Sequence, residues 1–144
     1  MVAYADTSFL FSLYVQDAHT VQATRLGGNL DAPLVLTPLQ RYELRNAFRL
    51  AVFRRDIAAD ECQRLLEMVE ADIKTGALVE TPVAWAEVYA EAEALSAAHA
   101  ETLGTRAFDV LHVAAAAALG AKDFYTFDVR QRALAKRAGM KVKP

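Results

Sequence analysis

A chain of 144 residues has the length of a single domain, 1-144, and can bury a core without disulfides or structural metal. One cysteine, Cys62, excludes an internal disulfide and a cysteine-based zinc site, and it points to a packed or surface thiol, not a nucleophile, in a reducing compartment. Sixteen basic against eighteen acidic residues leave a net charge of −2, which excludes the globally basic signature of many nucleic-acid binders, while a hydrophobic share of 54%, rich in alanine, predicts close-packed helices and an interface between copies of the chain.

The chain opens on a short apolar stretch, Val2 to Ala5, that reads as a buried strand ending on Asp6. Thr7 or Ser8 is placed to cap a helix over Phe9 to Val15. That stretch imitates a secretion signal but has the wrong flanks: Asp6 precedes it, and the first basic residue is Arg25. A second helix is predicted over His19 to Leu26, stopped by Gly27-Gly28-Asn29. Leu34 to Thr37 reads as a strand, and Pro38 opens a helix to about Arg55. Ala58 to Lys74 forms another helix, closed by Gly76. Leu78 to Glu80 is the third strand, and Pro82 starts an alanine-rich helix to about Ala100. Thr105 is placed to cap a helix over Arg106 to Leu119, ended by Gly120. Phe124 to Phe127 is the fourth strand, Val129 to Ala138 the last helix, and Lys141 to Lys143 a short edge strand.

Short strands that are apolar on both faces and alternate with helices predict a parallel sheet buried between helical layers. The fold class is thus α/β, a three-layer α/β/α sandwich with a central, mainly parallel sheet of four to five strands. The longest apolar run, Val113 to Ala121, is too short to cross a bilayer. A cytoplasmic protein without a membrane partner is the expectation.

In an open parallel sheet, sites form outside the carboxyl ends of the strands. Asp6 ends the first strand, and Asp128 lies just past the fourth. Asp109 falls in the first turn of its helix and Glu43 in the second turn of the helix after strand two. Crowded carboxylates repel one another, and a hard divalent cation removes that repulsion; magnesium and manganese prefer oxygen ligands. His19, His99 and His112 are scattered and read as structural or solvated. Each acid alone also has a plain structural reading. Asp6 and Asp128 suit caps, while Glu43 and Asp109 suit the positive end of a helix dipole. Spacing leaves both readings open.

Four segments resemble the conserved elements of PIN domains, in the right order and over nearly the whole chain. Tyr4-Ala5-Asp6-Thr7-Ser8 is similar to the opening strand, and Glu43-Leu44-Arg45-Asn46-Ala47 to the second acidic element. Phe108-Asp109-Val110-Leu111-His112-Val113 is similar to the third, and Phe124-Tyr125-Thr126-Phe127-Asp128 with Arg130-Gln131 to the fourth. Within that family the chain resembles the VapC toxins of type II toxin–antitoxin modules. The resemblance implies an endoribonuclease that needs Mg2+ or Mn2+, a homodimer, and a cognate antitoxin protein. It implies Asp6, Glu43, Asp109 and Asp128 as catalytic residues, with Asp6, Asp109 and Asp128 on the metal and Glu43 on the metal or a water. Ser8, Asn46 and Thr126 are expected to hold these carboxylates in place.

Arg41, Arg45 and Arg49, spaced by four, share one helix face. They read either as a wet stripe or as phosphate contacts for an RNA substrate. Trp85 and Tyr89 share a face that is expected to pack into the core rather than stack on bases. Two other functions compete. A phosphoryl-transfer hydrolase with Asp6 as nucleophile expects a second Asp two positions on, where Ser8 stands. A non-catalytic PIN-like binding module expects a lost acid, and none is lost.

Overall fold

The computed structural model describes residues 2–28, 30 and 32–144. Asn29, expected to help stop the second helix, lies outside the described residues. Two compact units emerge, one from residues 1–6 and 82–144 and the other from residues 7–81.

The first unit contains strands β1 (Ala3–Ala5), β4 (Asp123–Tyr125) and β5 (Lys141–Lys143), parallel throughout, with β4 between the other two. The register sets Ala3 against Asp123, Tyr4 against Phe124 and Ala5 against Tyr125. It continues past the strand ends: the amide of Asp6 donates to the Tyr125 carbonyl at 3.0 Å, and that of Thr126 to the Lys143 carbonyl at 2.9 Å. Tyr4 and Phe124 are fully buried and stack with ring centroids 5.5 Å apart. The Tyr4 hydroxyl meets His112 Nδ1 at 2.7 Å, so this histidine is a core residue, as its sequence context suggested.

The helices of this unit are α5 (Trp85–Leu95), α6 (Glu101–Leu103), α7 (Ala107–Ala118) and α8 (Val129–Arg137), and Ser96–Ala100 forms a π-helical turn between α5 and α6. The buried run Val113 to Ala116 lets α7 pack closely on α5, because alanine keeps two backbones near each other. Helix α5 starts three residues later than Pro82 suggested. The Thr81 amide still donates to the Leu36 carbonyl, extending the β ladder, and a residue before proline favours extended backbone. Thr105 does not cap α7: Arg106 takes the N-cap position, one residue too far on for the threonine hydroxyl to reach the first-turn amides. Tyr89 is 58% exposed with Trp85 beside it at 6.3 Å, so this pair does not join the core as expected.

The second unit holds α1 (Thr7–Tyr14), α2 (Thr20–Gly28), β2 (Leu34–Leu36), α3 (Pro38–Phe53), α4 (Ala59–Thr75) and β3 (Leu78–Glu80), with β2 and β3 parallel. Helix α3 begins with a reciprocal cap: the Gln40 amide donates to the Thr37 hydroxyl, and the Thr37 amide to Gln40 Oε1. Its buried face, Leu44, Phe48 and Ala51, recurs every three to four residues. Phe48 meets the rings of Phe11 and Tyr14. Burial pushes the Tyr14 hydroxyl far above its ordinary pKa, and it donates to Asp72. Cys62 is buried on the inner side of α4, a packed thiol. Gly76 ends α4 with φ 84°, a left-handed backbone that glycine adopts freely.

Tyr4→Phe removes one hydroxyl from a buried pair and leaves the His112 ring without that partner. Urea unfolding should show a loss of about 1–3 kcal/mol, against about 3–5 kcal/mol for Tyr4→Ala, which also opens a cavity. Equal stability of Tyr4→Phe and the parent would show that the hydroxyl contributes nothing.

Candidate active site

The parallel register of β1 and β4 brings Asp6 and Thr126 side by side at the carboxyl ends of adjacent strands. Asp6 is 5% exposed and Thr126 fully buried. The Thr126 hydroxyl lies 2.6 Å from Asp6 Oδ2 and 3.0 Å from Gln131 Oε1. It has one hydrogen to give, and a carboxylate claims it over an amide oxygen because the bond is charge-assisted. The same oxygen accepts the Asp128 amide at 3.0 Å. Thr126 therefore fixes Asp6 through its side chain and the Asp128 backbone through its oxygen.

Asp128 is the N-cap of α8, its Oδ1 accepting the Gln131 amide at 2.8 Å. Its structural reading is thus correct, and the cap bond also fixes the carboxylate's direction. Asp109 sits in the first turn of α7 with a side chain 23% exposed, and Arg106 Nε approaches its Oδ2 at 3.4 Å. Gln131 ties the two helices together: its side-chain amide donates to the Asp109 carbonyl at 3.3 Å. It is 1% exposed.

Sequence reasoning quoted Gln131 only within a motif and gave it no role. The signal was present, since Gln131 shares its helix face with the buried Leu134 and Ala135, where a polar side chain needs partners. A buried glutamine whose side-chain amide donates to the Asp109 carbonyl, with its oxygen set against Thr126, is a positioning residue.

Among the described residues, no three of His, Cys, Asp or Glu form a group suited to hold a metal ion. Asp6, Asp109 and Asp128 belong to one hydrogen-bonded neighbourhood, in which Thr126, Arg106 and the Gln131 amide respectively contact them.

Glu43 lies on α3, half-buried, and accepts the Thr7 hydroxyl at 3.2 Å. Thr7 therefore steadies one of the expected carboxylates. The Ser8 residue is exposed, and its carbonyl accepts the Ser12 hydroxyl. Asn46 is exposed and bonds no carboxylate among the described residues.

Two of the three stripe arginines are engaged. Arg41 reaches Glu70 Oε1 at 2.6 Å and Glu80 at 3.1 Å, and Arg45 reaches the same Glu70 oxygen at 2.9 Å. The hydrogen bond from Arg41 holds the Glu70 carboxyl below its ordinary pKa. Arg49 is exposed.

Residues 3–137 match the PIN domain family. The chain is a PIN domain protein. Its five parallel strands and the helices that cover them are the α/β/α sandwich expected from the sequence. Among curated proteins none matches it significantly. Several solved structures share the fold. Mycobacterium tuberculosis VapC20, a Sarcin-Ricin loop cleaving toxin, superposes with a TM-score of 0.68 at 21% identity over 99% of both chains. FitAcB from Neisseria gonorrhoeae gives 0.69 at 18% identity, covering 99% of this chain and 97% of that one. VapBC2 from Rickettsia felis, bound to a DNA fragment from their promoter, gives 0.64 at 16% identity, covering 99% and 98%. No helix among the described residues is long and apolar enough to cross a membrane.

Thr126→Val deletes the donor to a buried carboxylate and the acceptor for the Asp128 amide. Thermal and urea unfolding should show a loss of about 1–3 kcal/mol, and Thr126→Ser, which keeps the hydroxyl, should recover most of it. A valine variant as stable as the parent would remove Thr126 from this role.

Proposed function

We propose that this PIN domain protein is a divalent-metal-dependent endoribonuclease, the toxin of a toxin–antitoxin pair, acting in the cytoplasm through Asp6, Glu43, Asp109 and Asp128. The observation that carries the reading is the buried Asp6, held by Thr126 at the carboxyl edge of the sheet in a chain of this family. VapC20, which shares the fold, is a cleaving toxin, and this supports the same class of activity here. The family match runs through both compact units, which supports reading residues 1-144 as one PIN domain.

The donor chemistry of the site fits a hard cation. Asp6, Asp109 and Asp128 offer only carboxylate oxygens, and magnesium keeps several of its waters and needs only one or two protein carboxylates. A site without a closed three-residue set therefore still suits Mg2+ or Mn2+, with Asp6 the anchor and Asp109 and Asp128 beside it. Such a cation supplies an activated water and offsets charge on the attacked phosphate.

The chain's own residues set the stage for that chemistry. Thr126 holds one Asp6 oxygen, leaving the carboxylate a fixed direction at the sheet edge. Gln131 fixes the start of α8 against the first turn of α7, so Asp128 and Asp109 keep their spacing. Glu43, steadied by Thr7, is a carboxylate able to accept a proton from a water or to orient one. Arg106, beside Asp109 and largely exposed, can meet a substrate phosphate. The partners in this reading are RNA, an antitoxin protein and a second copy of the chain.

Purified protein incubated with mixed RNAs should cleave them with magnesium and not without it. Asp6→Asn and Asp109→Asn should keep the parent's Tm and lose cleavage by about 100-fold or more, since misplacing a reacting group costs at least that much. Cleavage at the parent rate by both variants, in protein free of host nucleases, would make these carboxylates structural. For the partners, light scattering should report a dimer, and co-expression with the cognate antitoxin should relieve growth arrest. A monomer at all concentrations, or no arrest to relieve, would remove the corresponding claim.

A further inference from the structure

Helices α3 and α4 border a groove of about 400 Å3 lined by Arg45, Arg49, Gln63, Glu67, Glu70 and Lys74, among others. Its cations fall into two groups. Arg45, with the neighbouring Arg41, is bound to Glu70, and one oxygen of that carboxylate serves both guanidinium groups. Arg49 and Lys74 form no ion pair or hydrogen bond among the described residues. Glu67, the other acid in the groove, accepts from Gln63 at 3.3 Å. The chain as a whole carries −2, yet here Arg41, Arg45, Arg49 and Lys74 face Glu67, Glu70 and Glu80, a local excess of one positive charge.

Residues four apart on a helix are about 6 Å apart along its axis. Arg41, Arg45 and Arg49 thus form a regular ladder of forked donors, and guanidinium groups suit phosphate because they bind it bidentately. A ladder of equal steps fits a polymer whose charge repeats evenly along its length, as a nucleic-acid backbone does, better than a peptide with irregular acids. The Glu70 pairs are part-exposed, with side chains 27–44% accessible, and pairs of this kind are weak. They restrain the arginines without locking them away.

We propose that the α3–α4 groove is a phosphate-binding site for single-stranded nucleic acid, in which Arg49 and Lys74 make the standing contacts and Glu70 sets the affinity by withholding Arg41 and Arg45. The proposal rests on the ribonuclease reading for its choice of RNA as the strand. It moves the expected contacts: Lys74 joins them, and Arg41 and Arg45 act only when Glu70 releases them.

The test is binding of a fluorescein-labelled single-stranded oligoribonucleotide of mixed sequence, followed by anisotropy over a series of salt concentrations. Asp6→Asn is the background, so that the strand is not cut. Neutralising phosphates releases counterions, and each lost contact on a single strand lowers the log–log salt slope by about 0.7. The double variant Arg49→Ala, Lys74→Ala should lower that slope by about 1.4 and weaken binding. Glu70→Gln should tighten binding several-fold and steepen the slope by about 0.7 or more. Unchanged slopes in both variants overturn the proposal, as does weaker binding by Glu70→Gln. Inorganic phosphate that displaces the strand at equal phosphate concentration overturns it in favour of a small-anion site. A polyglutamate peptide that needs Arg49 and Lys74 when the RNA does not overturns it in favour of an acidic protein partner. Failure of the ribonuclease reading shows separately, as equal RNA cleavage by the parent and by Asp6→Asn, and the salt slopes still judge the groove.

Discussion

A carboxylate that ends a buried strand sets a demand that the rest of the site answers. Asp6 is almost wholly withdrawn from water, where an ionised group without partners is strongly disfavoured. The neighbouring strand meets the demand. Because β1 and β4 run parallel in register, the residue after Tyr125 stands beside Asp6, and that residue carries a hydroxyl. A parallel register slipped by one residue would turn the alternate side chains to the wrong face and break this match. The stacked Tyr4 and Phe124 rings, one step back along the same strands, hold that register from within the core.

From Thr126 the order spreads outward. Its oxygen receives the Asp128 amide, Asp128 caps α8, and Gln131 in the first turn of α8 reaches the backbone of Asp109. The distinction between a capping acid and a functional acid loses its force here. A cap bond holds a side chain in one rotamer, and a fixed carboxylate is what a reactive site needs. In the proposed function Asp128 serves the helix and the site through the same contact.

The strands, their order along the chain and most helices were legible in the sequence, because apolar runs of three or four residues between glycine and proline stops leave little choice. The deviations have local causes. Helix α5 begins late because Thr81 still belongs to the β ladder, which a scan for helix-starting prolines does not reveal. Thr105 looked like a cap, yet α7 begins one residue too far along to use it. Tyr89 looked like core on helical periodicity alone, and periodicity records which residues share a face without saying what that face meets. The acidic positions were visible as the ends of elements. Their partners were not: nothing within a few residues links Thr126 to Asp6, or Thr7 to Glu43, since these bonds join parts of the chain far apart. Gln131 could have been found by asking what a polar residue does on an otherwise apolar helix face.

The bond between Thr126 and Asp6 spans 120 positions of sequence, so β1 meets its β4 partner only across a long stretch of chain. Contacts of such long range carry a large loop-closure cost and form late in folding. During synthesis Asp6 therefore leaves the ribosome long before the residues that organise it, and the first strand must wait without its neighbour. The neighbourhood of Asp6 thus stays incomplete until β4 has been translated. The delay is written into the strand order, because Asp6 has no Thr126 beside it before β4 is made.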